Sequence, residues 1–102
     1  MKYQVDFDSI AWQSPMPGVR DKVYRVGARV LRLVEYSREM TPHWCERGHI
    51  GHIIQGSVSI EFTHVTERFD SGDAVFIPPG REHAHRAVPL TAVVTALFVE
   101  DV

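Results

Sequence analysis

Apolar residues in this chain recur at every second position rather than every third or fourth, a spacing that builds strands and fits helix templates poorly. Val58, Ile60 and Phe62 alternate with Ser57, Ser59, Glu61 and Thr63, as a half-buried strand requires. The run from His64 to Phe69 ends at Asp70-Ser71-Gly72-Asp73, a turn in which glycine can take positive φ and aspartate can bond its own backbone. Ala74 to Ile77 reads as a short apolar strand, stopped by Pro78-Pro79-Gly80 because proline cannot donate to a ladder. Arg29 to Tyr36 and Thr91 to Val99 are β-branched and apolar enough to be further strands. Several short strands with regular turn signals predict an all-β barrel or sandwich.

Two stretches depart from this rhythm. Over residues 9–27, Pro15, Pro17, Gly18 and Gly27 interrupt any ladder, so residues 1–27 are predicted to form an irregular arm lying over a barrel of residues 28–102. The run Thr91 to Val99 does not alternate cleanly, which predicts that both of its faces are covered. A second copy of the chain is the economical cover, giving a homodimer; the alternative is that the arm covers it.

A length of 102 residues predicts one domain, spanning residues 1–102, whose core is adequate but thin. With a single cysteine there is no intrachain disulfide to staple it, which fits a reducing compartment and leaves a bound metal or self-association as the supports. The first residues carry Asp6 and Asp8 where a signal peptide needs an apolar run, and no apolar stretch reaches membrane-spanning length. The expectation is a soluble, cytoplasmic protein with no membrane partner. A formal charge of -2 and a pI near 6.3 give no global attraction to phosphates, so nucleic acid is not expected as a partner. Arg20, Lys22, Arg25, Arg29 and Arg32 make one span locally basic; their spacing follows no single period, and they read as a solvated strand face.

Chemistry concentrates in two clusters that hold five of the six histidines and the cysteine. The first runs His43-Trp44-Cys45-Glu46-Arg47-Gly48-His49-Ile50-Gly51-His52, and the second runs Pro78-Pro79-Gly80-Arg81-Glu82-His83-Ala84-His85. Imidazole and thiolate are the donors that a soft or borderline divalent cation selects. A helical alternative would set Cys45, His49 and His52 on one face, but Gly48 and Gly51 inside that turn argue against it.

The two clusters resemble the paired motifs of the cupin superfamily of small β-barrels. In that family a glycine is followed after five residues by Pro-x-Gly-x-x-His, as Gly72 is followed here by Pro78-Pro79-Gly80-Arg81-Glu82-His83. The other motif, His-x-His, three or four residues, Glu, six residues, Gly, is matched in spacing by His43, Cys45, His49 and Gly56, with Cys replacing a His and His replacing the Glu. Ser37 stands where that motif opens with Gly, and Ala87 where the second closes with Asn. The resemblance implies a double-stranded β-helix, or jelly-roll barrel, with a small-molecule pocket in its mouth and a metal ion held by His43, Cys45, His49 and His83.

A thiolate in place of an imidazole adds negative charge and softness, so zinc is the favoured ion, with iron, nickel and manganese as the ions the resemblance implies in many members. Four protein donors on a tetrahedral zinc would close the shell and make the metal structural, whereas an open position would let the ion polarise a carbonyl or activate water. The expected function is therefore a metal-dependent enzyme acting on a small polar metabolite, of isomerase, dioxygenase or lyase type. The alternatives are a non-catalytic ligand-binding or sensing module, and a sensor in which oxidation of Cys45 releases zinc. His85, on the same strand face as His83, and Tyr36 are the weaker candidates for moving protons. Phe62, Phe76 and Trp44 are expected to line the pocket, while His52 and His64 read as structural.

Overall fold

A computed structural model describes residues 2–101, so the expected domain of residues 1–102 extends one residue beyond it at each end. Nine strands follow in order: β1 (Gln13–Met16), β2 (Val19–Val26), β3 (Arg29–Ser37), β4 (His49–Gln55), β5 (Ser57–Phe62), β6 (Thr66–Asp70), β7 (Ala74–Ile77), β8 (His85–Pro89) and β9 (Val93–Asp101). They form a six-stranded sheet ordered β1-β2-β3-β9-β4-β7 and a three-stranded sheet ordered β6-β5-β8, with antiparallel pairing throughout. The all-β architecture expected from the alternation, in the jelly-roll form that the resemblance implies, is what the chain adopts. Among the described residues no helix is long and apolar enough to cross a membrane.

Between the sheets lies one cluster of buried side chains, with Val34, Ile53, Val75 and Val94 fully enclosed. Burying each contributes about 1.5–3 kcal/mol relative to leaving it in water. Alternation decides the supply: Val94, Ala96, Phe98 and Glu100 point inward from β9, and Val30, Val34 and Tyr36 share one face of β3 with Arg32. Close approach adds a second constraint at Gly51, where a Cβ would stand 1.8 Å from the Leu97 carbonyl oxygen of the paired strand β9.

One expectation needs correcting. The stretch read as an irregular arm carries β1 and β2, because its prolines and glycines turn the ladder rather than break it. Pro17-Gly18, with Gly18 at φ 77, makes the tight connection that a type II turn provides. Pro15 is tolerated because β1 is an edge strand. What remains of the arm lies across β2: Lys22 Nζ donates to the Phe7 carbonyl at 2.8 Å and, like Arg20, sits over the Trp12 ring.

On β9 burial alternates along its length, so the chain itself covers only the inner face of that strand. Its outer face belongs to a sheet surface on which Ile50, Phe76 and Val99 are exposed, Phe76 to 73 %.

Candidate metal centre

Three side chains of the two clusters meet inside the barrel. One ligand atom from each of Cys45, His49 and His85 lies within 4.8 Å of the other two, the sulfur half-buried and His85 only 4 % exposed. His49 opens β4 and points inward with Ile53, two turns of the pleat further on. Cys45 and His85 form an isolated antiparallel bridge that ties the loop before β4 to the start of β8.

Each imidazole is fixed through its Nδ1. The 2.6 Å contact between His49 Nδ1 and Glu100 Oε2 puts a proton on that nitrogen, donated to the carboxylate. His85 Nδ1 is 3.0 Å from the His83 carbonyl oxygen, an acceptor, so it too carries the proton. In both rings Nε2 is left as the nitrogen free to ligate. The rings are also wedged: His49 meets His85 edge-on at 5.0 Å between centroids and packs on Phe98 at the same distance, with Phe62 6.1 Å from His85.

Charge follows from this geometry. The imidazole of His49 first, then that of His85, holds the Cys45 thiol down at about 5 despite partial burial. Burial works against a charged His49, but the neighbouring sulfur and Glu100 outweigh it and raise the imidazole to about 8. Burial would likewise raise the Glu100 carboxyl; the hydrogen bond from His49 and the charges of His49 and Arg32 carry it below the usual carboxylate range. Arg32 links onward, its Nε donating to Asp21 Oδ2 at 2.8 Å while its NH1 stands 3.6 Å from Glu100.

A cation fits this set on an observation internal to it. His85 Nε2 is buried without a hydrogen-bond partner among the described residues, so one polar atom of the cluster lacks a partner that a buried nitrogen normally has. An imidazole lone pair, a second imidazole and a low-pKa thiol facing one another are three electron-pair donors.

Of the four residues expected as ligands, the structure brings together Cys45 and His49. His43 is exposed at the rim, its Nδ1 3.3 Å from the Thr41 carbonyl, on irregular chain rather than on a strand face shared with Cys45. His83 belongs to the 3-10 turn Arg81–His83, where its side chain is 40 % exposed and 3.9 Å from Glu82. That turn follows Gly80, at φ 126, and breaks the strand phase, so His83 and His85 do not share a face as expected. Tyr36, by contrast, lines the cavity, and burial pushes its phenol up to about 12, so it can donate a hydrogen bond but not act as a base at neutral pH.

Beyond the cluster, a cavity of about 190 Å³ runs into the barrel between the inner faces of both sheets. Ile53, Val58, Ile60, Ile77, Val94 and Phe98 wall it, so the polar ligand expected from the sequence meets a mostly apolar interior. The expected aromatic lining is absent: Phe62 packs on the core, Phe76 lies on the outer sheet face, and Trp44 is exposed beneath the Arg86 guanidinium. Sequence reading passed over Glu100 and Asp21 and took Arg32 for part of a solvated strand face, whereas Arg32 is largely buried beside both carboxylates. A signal was present, since extending the alternation of Val94, Ala96 and Phe98 by one step places Glu100 inside, and Arg32 lies between Val30 and Val34 on the inner face of β3.

Comparison with known proteins agrees with the fold. The model of the AraC-like ligand binding domain family matches residues 30–91. Among solved structures, KdgF from a Halomonas species is 26% identical with a TM-score of 0.75, over 92% of this chain and 89% of that one. The polyketide cyclase RemF from Streptomyces resistomycificus is 23% identical with a TM-score of 0.75, over 99% and 80%. A cupin sugar phosphate isomerase from Silicibacter pomeroyi is 19% identical with a TM-score of 0.75, over 97% and 75%. None of the curated proteins matches the chain.

Proposed function

We infer that this chain, which belongs to the AraC-like ligand binding domain family within the cupin superfamily, is a metal-dependent enzyme acting on a small molecule held inside its barrel. The observation that carries this reading is the convergence of Cys45, His49 and His85, with the Nδ1 of each imidazole already committed and His85 Nε2 buried without a partner. The proposed ligand set keeps Cys45 and His49 from the sequence expectation and takes His85 in place of His83. One sulfur and two nitrogens suit zinc first, with iron, nickel or manganese as alternatives. Three protein donors leave a coordination position for a fourth partner, the pattern of catalytic rather than structural zinc. A bound ion of this kind supplies Lewis acidity toward a substrate oxygen or a water.

The chain's own residues supply the rest. Glu100 orients His49, and Phe98 and Phe62 hold the imidazole planes. Tyr36 offers a neutral phenol to an oxygen of the ligand. His43, exposed and on the cavity wall, is suited to exchanging a proton with solvent. Relatives of the fold named as a polyketide cyclase and a sugar phosphate isomerase support a catalytic reading without fixing the reaction. The family's description as a ligand binding domain favours, as second reading, a sensing module with the same cavity. A second copy of the chain, seated on the sheet face that exposes Ile50, Phe76 and Val99, is the proposed partner, and the free Cys45 suits a reducing compartment such as the cytoplasm.

Metal analysis and X-ray absorption on protein purified without added metal test the reading. One ion per chain, bound by one sulfur, two imidazole nitrogens and at least one light atom from solvent, is the expected result. A metal-free chain, or an ion enclosed by four protein donors, would defeat the enzyme.

A further inference from the structure

We propose that the molecule this cavity takes is a single apolar ring bearing one or two oxygen substituents, a phenol or catechol in chemical class, and not a sugar or a sugar phosphate. The inference deepens the proposed function and rests on its reading that the cavity beside Cys45, His49 and His85 is the ligand site. Size sets the first bound. Apolar cavities of about 150 Å³ hold benzene, so about 190 Å³ holds a ring with small substituents.

Wall chemistry sets the second. Ile53, Val58 and Val94, which enclose the cavity, are the same residues that are 1 %, 2 % and 0 % exposed in the core, and none carries a hydrogen-bonding side chain. A sugar presents a hydroxyl on nearly every carbon, and each would be stripped of water here without a partner to replace it. A ring presents carbon to carbon.

The polar groups are few. Besides the cluster itself, Arg32, Tyr36 and His43 alone among the described residues offer polar side chains to the cavity. Arg32 is already held by Asp21 at 2.8 Å and faces Glu100 at 3.6 Å, so its charge is matched before any phosphate arrives. His43 stands at the rim, open to water. That leaves the Tyr36 hydroxyl and the thiol-imidazole cluster, two anchors for one or two oxygens at the edge of an otherwise apolar body.

The test titrates the full chain, as purified, with phenol, catechol and toluene, and in parallel with glucuronate and ribose 5-phosphate, following calorimetry and the shift in thermal midpoint. Phenol and catechol are expected to bind at least about tenfold tighter than either sugar. In Tyr36→Phe, phenol should lose several-fold in affinity while toluene keeps its own. Sugars binding as tightly as the rings, or no ring binding at all, would overturn the inference. Zinc content measured on the same samples separates the two readings: a chain that takes zinc but no ring defeats this inference alone, and one that takes the ring but no zinc defeats the metal reading and leaves this one standing.

Discussion

Cys45 and His85 exchange both of their main-chain hydrogen bonds, Cys45 N–H donating to the His85 carbonyl at 2.8 Å and His85 N–H to the Cys45 carbonyl at 3.0 Å. The bridge stands outside every ladder of the two sheets, so the loop before β4 and the entry to β8 are clasped together at this one point. Two donor side chains are thereby set side by side by backbone atoms, independently of whether their own heads interact.

Because backbone makes the clasp, Cys45→Ser should keep the fold and lose only the stability that the thiolate contributes, while lowering zinc affinity by more than the roughly 100-fold upper end for outer-partner losses. His85→Ala should lose zinc likewise, and His83→Ala should retain it. Zinc content after dialysis against a chelator, with urea unfolding alongside, reads both effects. Zinc lost from His83→Ala and kept by His85→Ala would reverse the proposed ligand set.

Glu100 touches the site only through His49, accepting its Nδ1 proton at 2.6 Å. Glu100→Gln should weaken zinc binding by about 10–100-fold with the ligands themselves unchanged. In the metal-free chain the same change should bring His49 down from about 8, which an NMR titration of the ring would follow. An unmoved midpoint would detach Glu100 from the site.

In the metal-free chain, Cys45 titrates at about 5 against an ordinary 9.0, and His49 at about 8 against an ordinary 6.5. Stability from the depressed thiol is complete only above 9.0 and is lost as pH falls through 5; that from the raised imidazole is complete below 6.5 and is lost as pH rises through 8. Between 6.5 and 8 the folded pair is thiolate and imidazolium while the unfolded pair is thiol and imidazole, which is the same number of protons, so this pair adds no slope there. From 6.5 down to 5 the folded chain holds one proton fewer, and stability should fall. Subtracting the pH profile of Cys45→Ser from that of the wild type gives the thiol's share together with the part of the His49 shift that the sulfur supports. A difference that grew toward acid would contradict the assignment.

Arg32 is 18 % exposed between Asp21, at 6 %, and Glu100, at 9 %. Removing the guanidinium strands the buried Asp21 carboxylate and leaves Glu100 with His49 alone, so Arg32→Met should destabilise the chain by about 3–5 kcal/mol. Asp21→Asn together with Arg32→Met should restore part of that, since one stranded charge goes with its partner. Denaturant unfolding of the two variants tests the network, and equal losses would mean that Asp21 takes no part in it.

Gly51→Ala drives a methyl group to 1.8 Å from the Leu97 carbonyl oxygen, a backbone atom that cannot swing aside without parting β4 from β9. The expected loss is about 3 kcal/mol or more. Because β4 carries His49 and β9 carries Glu100, zinc affinity should fall with it. A variant as stable as the wild type would show that the sheet yields locally.

The period of two marked strands such as β5 from sequence alone, though not β1 and β2, since pleat alternation is a property of neighbours in the chain and Val58, Ile60 and Phe62 declare it within one short window. The resemblance of the two clusters to paired cupin motifs, and not the period, pointed to Cys45 and His49 as neighbours. The period did not decide between His83 and His85. That choice belongs to the 3-10 turn after Gly80 and to the bridge between Cys45 and His85, which reset the phase of the chain where alternation had been assumed to continue. Nor did it bring in Glu100, whose meeting with His49 depends on β9 lying beside β4 in a register fixed by hydrogen bonds between distant segments. The apolar cavity is of the same kind, assembled from the inner faces of two sheets that no single stretch of sequence contains. Local patterns fix which way each side chain leaves its own strand; only the packing of strand on strand decides which side chains then meet.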